Sequence, residues 1–170
     1  GMRDPNPLVA GRGFARLREA GIAVVEGLLR EECRRLNEHF ARYISGGVFV
    51  TLKSAMTLDG RIAAQENSAG HAWITGEAAR ACVHRLRHQH DALVTGVGTV
   101  LADDPLLTDR SGLPRRRRLL RVVMDTALRL PPESRVVQSA QGDLVVACGA
   151  AAPADRARAL EQRGVEVLRL

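Results

Sequence analysis

Short apolar runs recur through the second half of this chain, at residues 91–95, 119–124, 143–148 and 165–168. Runs that are mostly apolar, rather than strictly alternating with polar residues, read as strands covered on both faces, the signature of a parallel sheet. Between them, residues 76–90 and 153–163 carry apolar positions at helical spacing. Strands alternating with helices predict an α/β fold with a mostly parallel sheet flanked by helices.

The first half is organised differently. Residues 8–20 predict a helix that ends at Gly21, residue 22–25 a short buried strand, and residues 28–43 an amphipathic helix built on Leu28, Leu29, Cys33, Leu36, Phe40 and Tyr43. Gly46-Gly47 breaks that pattern and marks a boundary between residues 1–45 and 46–170. Beyond it, residues 48–52 predict a strand and Asp59-Gly60 a turn. No internal repeat is visible, and the one low-complexity stretch, residues 115–118, reads as a solvated arginine loop.

Composition narrows the function classes. The net charge of +6 suits nucleic acid or an anionic small molecule, but aromatic residues are only 3% of the chain. Interleaved stacking rings are therefore missing, and nucleic acid is not the expected partner. No apolar run reaches the roughly 20 residues that span a bilayer, so neither a membrane partner nor a non-cytoplasmic location is expected. Cys33, Cys82 and Cys148 are widely spaced. They predict neither disulfides nor a metal site, and each reads as a small buried hydrophobe.

In open α/β sheets, ligands bind beyond the carboxyl ends of the strands, which directs attention to residues 53–60, 96–110 and 125–126. Lys53 is the only lysine among 25 basic residues. Its compact ammonium could hold a substrate hydroxyl or move a proton, or it could be an edge lysine with a buried stem. Trp73, the sole tryptophan, could stack on a ligand ring or anchor a core. Gly96-Val97-Gly98-Thr99 could present backbone N–H groups to an anion or form a plain turn; the third glycine of a dinucleotide fingerprint is replaced by Leu101. Thr126 follows a strand, where a hydroxyl near a ribose and a helix cap are equally open. Arg80, His84, Arg87 and Asp91 share one face of the 76–90 helix, by default a solvated one. No nucleophile–base pair or metal-ligand cluster is present, an inventory compatible with hydride transfer, which needs alignment, water exclusion and charge stabilisation.

Three motifs carry a resemblance. Leu52-Lys53-Ser54-Ala55-Met56-Thr57-Leu58-Asp59-Gly60-Arg61, then Trp73-Ile74-Thr75-Gly76, then Thr99-Val100-Leu101-Ala102-Asp103-Asp104-Pro105-Leu106-Leu107-Thr108 with Arg110 resemble, in order and spacing, the reductase part of the bifunctional riboflavin-biosynthesis deaminase/reductase. The resemblance implies a dihydrofolate-reductase-like fold and NADPH-dependent reduction of 5-amino-6-(5-phosphoribosylamino)uracil to its ribitylamino product. It implies Lys53 as the catalytic residue, with Ala55, Trp73, Thr99, Asp103 and Thr126 on NADPH. His71, Arg87, Leu107 and Arg110 would bind the phosphorylated substrate, His71 standing where the family commonly has serine. Asp4-Pro5-Asn6-Pro7-Leu8-Val9-Ala10-Gly11-Arg12-Gly13 with Leu36-Asn37 resembles the end of the preceding deaminase domain, so residues 1–45 read as its remnant and 46–170 as the first portion of the reductase. The deaminase's zinc-binding motifs are absent. The family's later glycine-rich phosphate loop has no counterpart before Leu170, so these 170 residues are expected to bind NADPH weakly or not at all and to show no measurable reduction. A homo-oligomer is the expected assembly, and a catalytically silent nucleotide-binding or assembly domain is the alternative reading.

Overall fold

The computed structural model describes residues 1–62 and 74–170, which form two compact units, residues 1–55 and 56–170. His71 and Trp73 lie outside the described residues.

The first unit holds α1 (Arg12–Glu19), α2 (Arg30–Leu36) and α3 (Glu38–Ile44). The helix expected over residues 28–43 is two helices because Asn37 interrupts it. Its side-chain Nδ2 donates to the Cys33 carbonyl at 2.8 Å, the local competition with backbone bonding that makes asparagine a poor helix interior. Residues 22–25 and 48–52, both expected as strands, form no ladder among the described residues. An isolated apolar run gains no ladder bonds, and Leu52 is 92% exposed.

The second unit contains α4 (Glu77–Gln89), β1 (Ala92–Gly96), α5 (Val97–Asp103), β2 (Leu120–Met124), α6 (Arg135–Gln138), β3 (Leu144–Cys148), α7 (Ala154–Glu161) and β4 (Glu166–Arg169). All four strands are parallel in the order β1-β2-β3-β4. Each of the four expected strands is present to within one residue at either end.

One face of the sheet carries the core. Val123 and Val146 are fully buried there, and Val97, Val100, Leu128, Val136, Val137, Ala157 and Leu160 from helices and loops complete the cluster. The other face departs from the expectation of two covered faces: among the described residues Val94 is 63% exposed, and Met124 and Leu168 are each 45% exposed. The cysteines also divide. Cys148 is buried, Cys33 half-buried, and Cys82 exposed on α4.

Two charged side chains are buried among the described residues, Arg121 and Asp125. Arg121, in the middle of β2, is fully buried. Its guanidinium donates to the Leu106 carbonyl at 2.9 Å, to Ser139 Oγ at 2.8 Å and carbonyl at 3.0 Å, and to Asp143 Oδ1 at 2.7 Å. A buried cation is tolerated when paired and hydrogen-bonded in this way. Burial pushes the Asp143 carboxyl up, but the Arg121 hydrogen bond, the Gln141 N–H and the Arg121 charge together hold it below the usual carboxylate range.

Candidate anion and nucleotide site

Two groups of residues gather in the second unit. The first lies at the carboxyl ends of β1 and β2, where Gly96 pairs with Met124, so α5 and the Asp125-Thr126 turn leave the sheet side by side. Val97 and Val100 bury one side of α5. Thr99 and Asp103, one helical turn apart, are exposed, as is Thr126. A Cβ added at Gly96 or Gly98 would touch nothing within 4 Å, whereas one at Gly149 would come within 3.2 Å of the Thr126 carbonyl. Gly149 thus lets the β3 loop close on Thr126, its N–H donating to that carbonyl at 3.0 Å. Asp125 shapes the turn from below: it is buried, and its Oδ2 accepts the Leu130 N–H at 2.7 Å. Two hydroxyls, a carboxylate and two bare glycines on an open strand edge match the hydroxyl and amide groups of a dinucleotide better than its phosphates.

The second group joins α4 to the loop after α5. Arg87 Nη1 donates to the Thr108 carbonyl at 2.9 Å, and the Arg110 N–H donates to His84 Nδ1 at 3.2 Å. Arg87 Nε is buried without a hydrogen-bond partner among the described residues. Burial, then the nearby charge of Arg110, lowers the Arg87 pKa against the opposing pull of Asp109. Two guanidinium groups in each other's field, one with a spare buried N–H, mark a place for an oxyanion.

Arg115 contradicts the solvated-loop expectation. Its side chain is only 18% exposed, and it donates to the carbonyls of Arg87 at 2.7 Å, His88 at 2.9 Å and His90 at 2.8 Å. These are the carbonyls that a helix end leaves without partners, so Arg115 caps α4. Arg116, Arg117 and Arg118 are exposed as expected. Asp109 completes the clamp, accepting from Ser111 N–H at 2.9 Å and Arg115 Nη1 at 3.3 Å, with His88 Nδ1 at 3.1 Å. The shared helix face is accordingly half-buried at His84, Arg87 and His88.

Burial pushes the Asp109 carboxyl up, but the Ser111 N–H and hydroxyl, His88 and Arg115 outweigh it and bring its pKa from 3.8 down to about 2. The sign follows directly: the unfolded chain takes up the proton first as pH falls, so the stabilisation is present above the ordinary carboxylate pKa. It is lost between about pH 4 and 2. In urea melts, Asp109→Asn is expected to flatten the stability loss over that interval; an unaltered acid limb would show that Asp109 does not contribute to it.

Leu107, expected at the substrate, sits 95% removed from solvent in the core cluster, being 5% exposed. It has φ 57°, and Asp104 has φ 38°. Non-glycine residues hold left-handed backbone only when their surroundings fix it. Here Arg121 holds the Leu106 carbonyl, and Asp104 Oδ1 accepts the Arg135 N–H at 2.8 Å. Lys53 is exposed and Ala55 half-buried, both in the first unit. The sequence assigns no role to Asp109 or Arg115; for His84, only its place with Arg80, Arg87 and Asp91 on one helix face hints at a contribution. Among the described residues no cluster of His, Cys, Asp and Glu is arranged to hold a metal, and no helix is long and apolar enough to cross a membrane.

The second unit is a parallel α/β domain in which Thr99, Asp103 and Thr126 stand at the strand ends and Arg87 and Arg110 lie at α4 and the loop after α5. The chain belongs to the RibD C-terminal domain family, whose profile matches residues 48–170. It is 46% identical to the riboflavin biosynthesis protein RibD of Actinobacillus pleuropneumoniae over 169 residues, covering 99% of this chain and 44% of that protein. It is 42% identical to RibD of Escherichia coli over 149 residues, covering 81% of this chain and 40% of that protein. The structure of Acinetobacter baumannii RibD superposes with a TM-score of 0.72 at 35% identity, over 99% of this chain and 46% of that one. A Thermotoga maritima diaminohydroxyphosphoribosylaminopyrimidine deaminase/5-amino-6-(5-phosphoribosylamino)uracil reductase gives 0.65 at 32% identity, over 100% of this chain and 52% of that one. The chain therefore spans about half the length of these relatives, and its α/β fold is the dihydrofolate-reductase-like one that the motifs implied.

Proposed function

We propose that this chain is the first portion of an NADPH-dependent reductase that converts 5-amino-6-(5-phosphoribosylamino)uracil to the ribitylamino product, preceded by the end of a deaminase domain over residues 1–45. The observation that carries this reading is the pairing of Arg87 and Arg110 beside a buried, unpartnered N–H, a site suited to the substrate's phosphate, in a chain of the RibD C-terminal family.

The reaction adds a hydride and a proton to the ribosylamino group as the sugar opens. NADPH, when bound, supplies the hydride. Thr99, Asp103 and Thr126 would hold its hydroxyl and amide groups, with Ala55 and Trp73 as further contacts. Arg87 and Arg110 orient the substrate through its phosphate, with His71 along the same ligand. Lys53 is assigned to the reacting sugar, holding a hydroxyl or delivering the proton. Positioning of this kind accounts for much of what a protein adds to cofactor chemistry.

The test is substrate-dependent loss of nicotinamide absorbance by the chain extended to the length of its relatives. Lys53→Arg there is expected to lower turnover at least as much as it weakens substrate binding, because the guanidinium keeps the charge but not the compact ammonium. Unchanged turnover would remove Lys53 from the chemistry. Binding of both ligands with no absorbance change would make the domain a nucleotide-binding module instead.

A further inference from the structure

We propose that His84 is a third ligand of the Arg87–Arg110 anion site and that a phosphate monoester dianion seated there binds together with one proton, taken up from solvent by the His84 ring. This rests on the reading that the two arginines receive phosphate.

His84 lies three residues before Arg87 on α4, one turn away on the same face. Its Nδ1 accepts the Arg110 N–H at 3.2 Å. An imidazole nitrogen that accepts carries no proton, so the ring's hydrogen is on Nε2. Among the described residues Nε2 makes no hydrogen bond, so the ring keeps an N–H donor on the helix face it shares with Arg87. One loop residue, Arg110, thus touches the ring through its backbone and shares a field with Arg87.

The charges around the ring explain the proton. Without a ligand, burial, then Arg87 and Arg110, hold the His84 pKa below the ordinary imidazole value, and Asp109 opposes them. Of the other acidic and basic groups on α4, Arg80 donates to the Thr75 carbonyl and His88 Nδ1 lies 3.1 Å from Asp109, while Glu77 and Arg85 are exposed. The ring is therefore neutral at neutral pH. A dianion on the two guanidiniums reverses the local field and favours the imidazolium. The proton enters at Nδ1, which ends its acceptance of the Arg110 N–H and leaves that amide without its ring partner. Both ring nitrogens become donors. No covalent bond changes, and the charge balance is one proton per anion bound.

Sulfate is the probe, because it stays a dianion across the pH range in which imidazole titrates. Calorimetric titration of the 170-residue chain with sulfate is expected to show affinity rising as pH falls, by about tenfold for each unit by which the bound anion raises the ring's pKa. His84→Gln keeps a donor and an acceptor but cannot titrate, and its affinity is expected to be flat with pH. NMR titration of the His84 ring in the unmodified chain should give a higher pKa with sulfate than without, a measurement that needs no variant. Sulfate binding with a flat pH profile and an unmoved ring pKa overturns the proposal while leaving the arginine site standing. No sulfate binding at any pH removes the arginine site itself and the role of His84 with it.

Discussion

Asp143→Ala is expected to lower the unfolding free energy of the chain by about 3–5 kcal/mol, because it leaves the Arg121 charge buried without its counter-charge. The Arg121 side chain is 1% exposed and Asp143 15%, with nitrogen and oxygen 2.7 Å apart. The four remaining acceptors, the carbonyls of Leu106, Val136 and Ser139 and the Ser139 Oγ, are dipoles and cannot neutralise a cation in the interior. Arg121→Met alone should cost less, since Asp143 keeps the Gln141 N–H at 2.9 Å and some solvent. Combining the two should recover part of the loss, the behaviour of an ion pair whose attraction roughly offsets its desolvation. Urea unfolding of the four chains closes the cycle. A loss below about 1 kcal/mol for Asp143→Ala would show that neutral hydrogen bonds suffice for Arg121. The strained stretch at Asp104 and Leu107 should loosen in the same variants, because Arg121 holds it through the Leu106 carbonyl.

Arg121 also shows where sequence reading succeeds and where it stops. The run at residues 119–124 was legible as a strand because hydrophobic neighbours on either side of Arg121 outweigh one polar residue in any pattern. That the arginine points into the core could not be read, since its partners Leu106, Ser139 and Asp143 are 15 to 22 residues away. The anion site divides in the same way. Arg87 and Arg110 came from the motif resemblance, whereas Asp109, Arg115 and His84 enter through contacts spanning 6 to 28 residues. Local patterns do not encode such contacts. Residues 48–52 failed for the opposite reason: their pattern is that of a strand, yet strand structure requires a hydrogen-bonding neighbour, and none is present among the described residues. Asn37 was a missed local signal, a residue that competes for backbone bonds in the middle of an amphipathic pattern.

Replacing both Arg87 and Arg110 with alanine is expected to weaken binding of a phosphorylated sugar by about 3–6 kcal/mol, from about 1.5–3 for each lost charge-assisted hydrogen bond. That corresponds to roughly a hundredfold to ten-thousandfold in Kd. NADPH binding should change far less, since Thr99, Asp103 and Thr126 stand at the strand ends and not on the α4 clamp. The two single substitutions differ in a useful way. Arg87→Ala also deletes the bond to the Thr108 carbonyl, so it loosens the loop as well as removing a charge. Arg110→Ala keeps the backbone N–H that His84 accepts, so its loss reports the guanidinium alone. Neighbours in one site couple, and the double variant should lose less than the sum of the singles if Arg87→Ala already displaces Arg110. Ribose 5-phosphate is a sufficient probe, titrated calorimetrically against all four chains. An equal loss for ribose 5-phosphate and NADPH would move both arginines out of the substrate site. No loss for either ligand would leave the unpartnered Arg87 Nε as a feature of the α4 clamp alone.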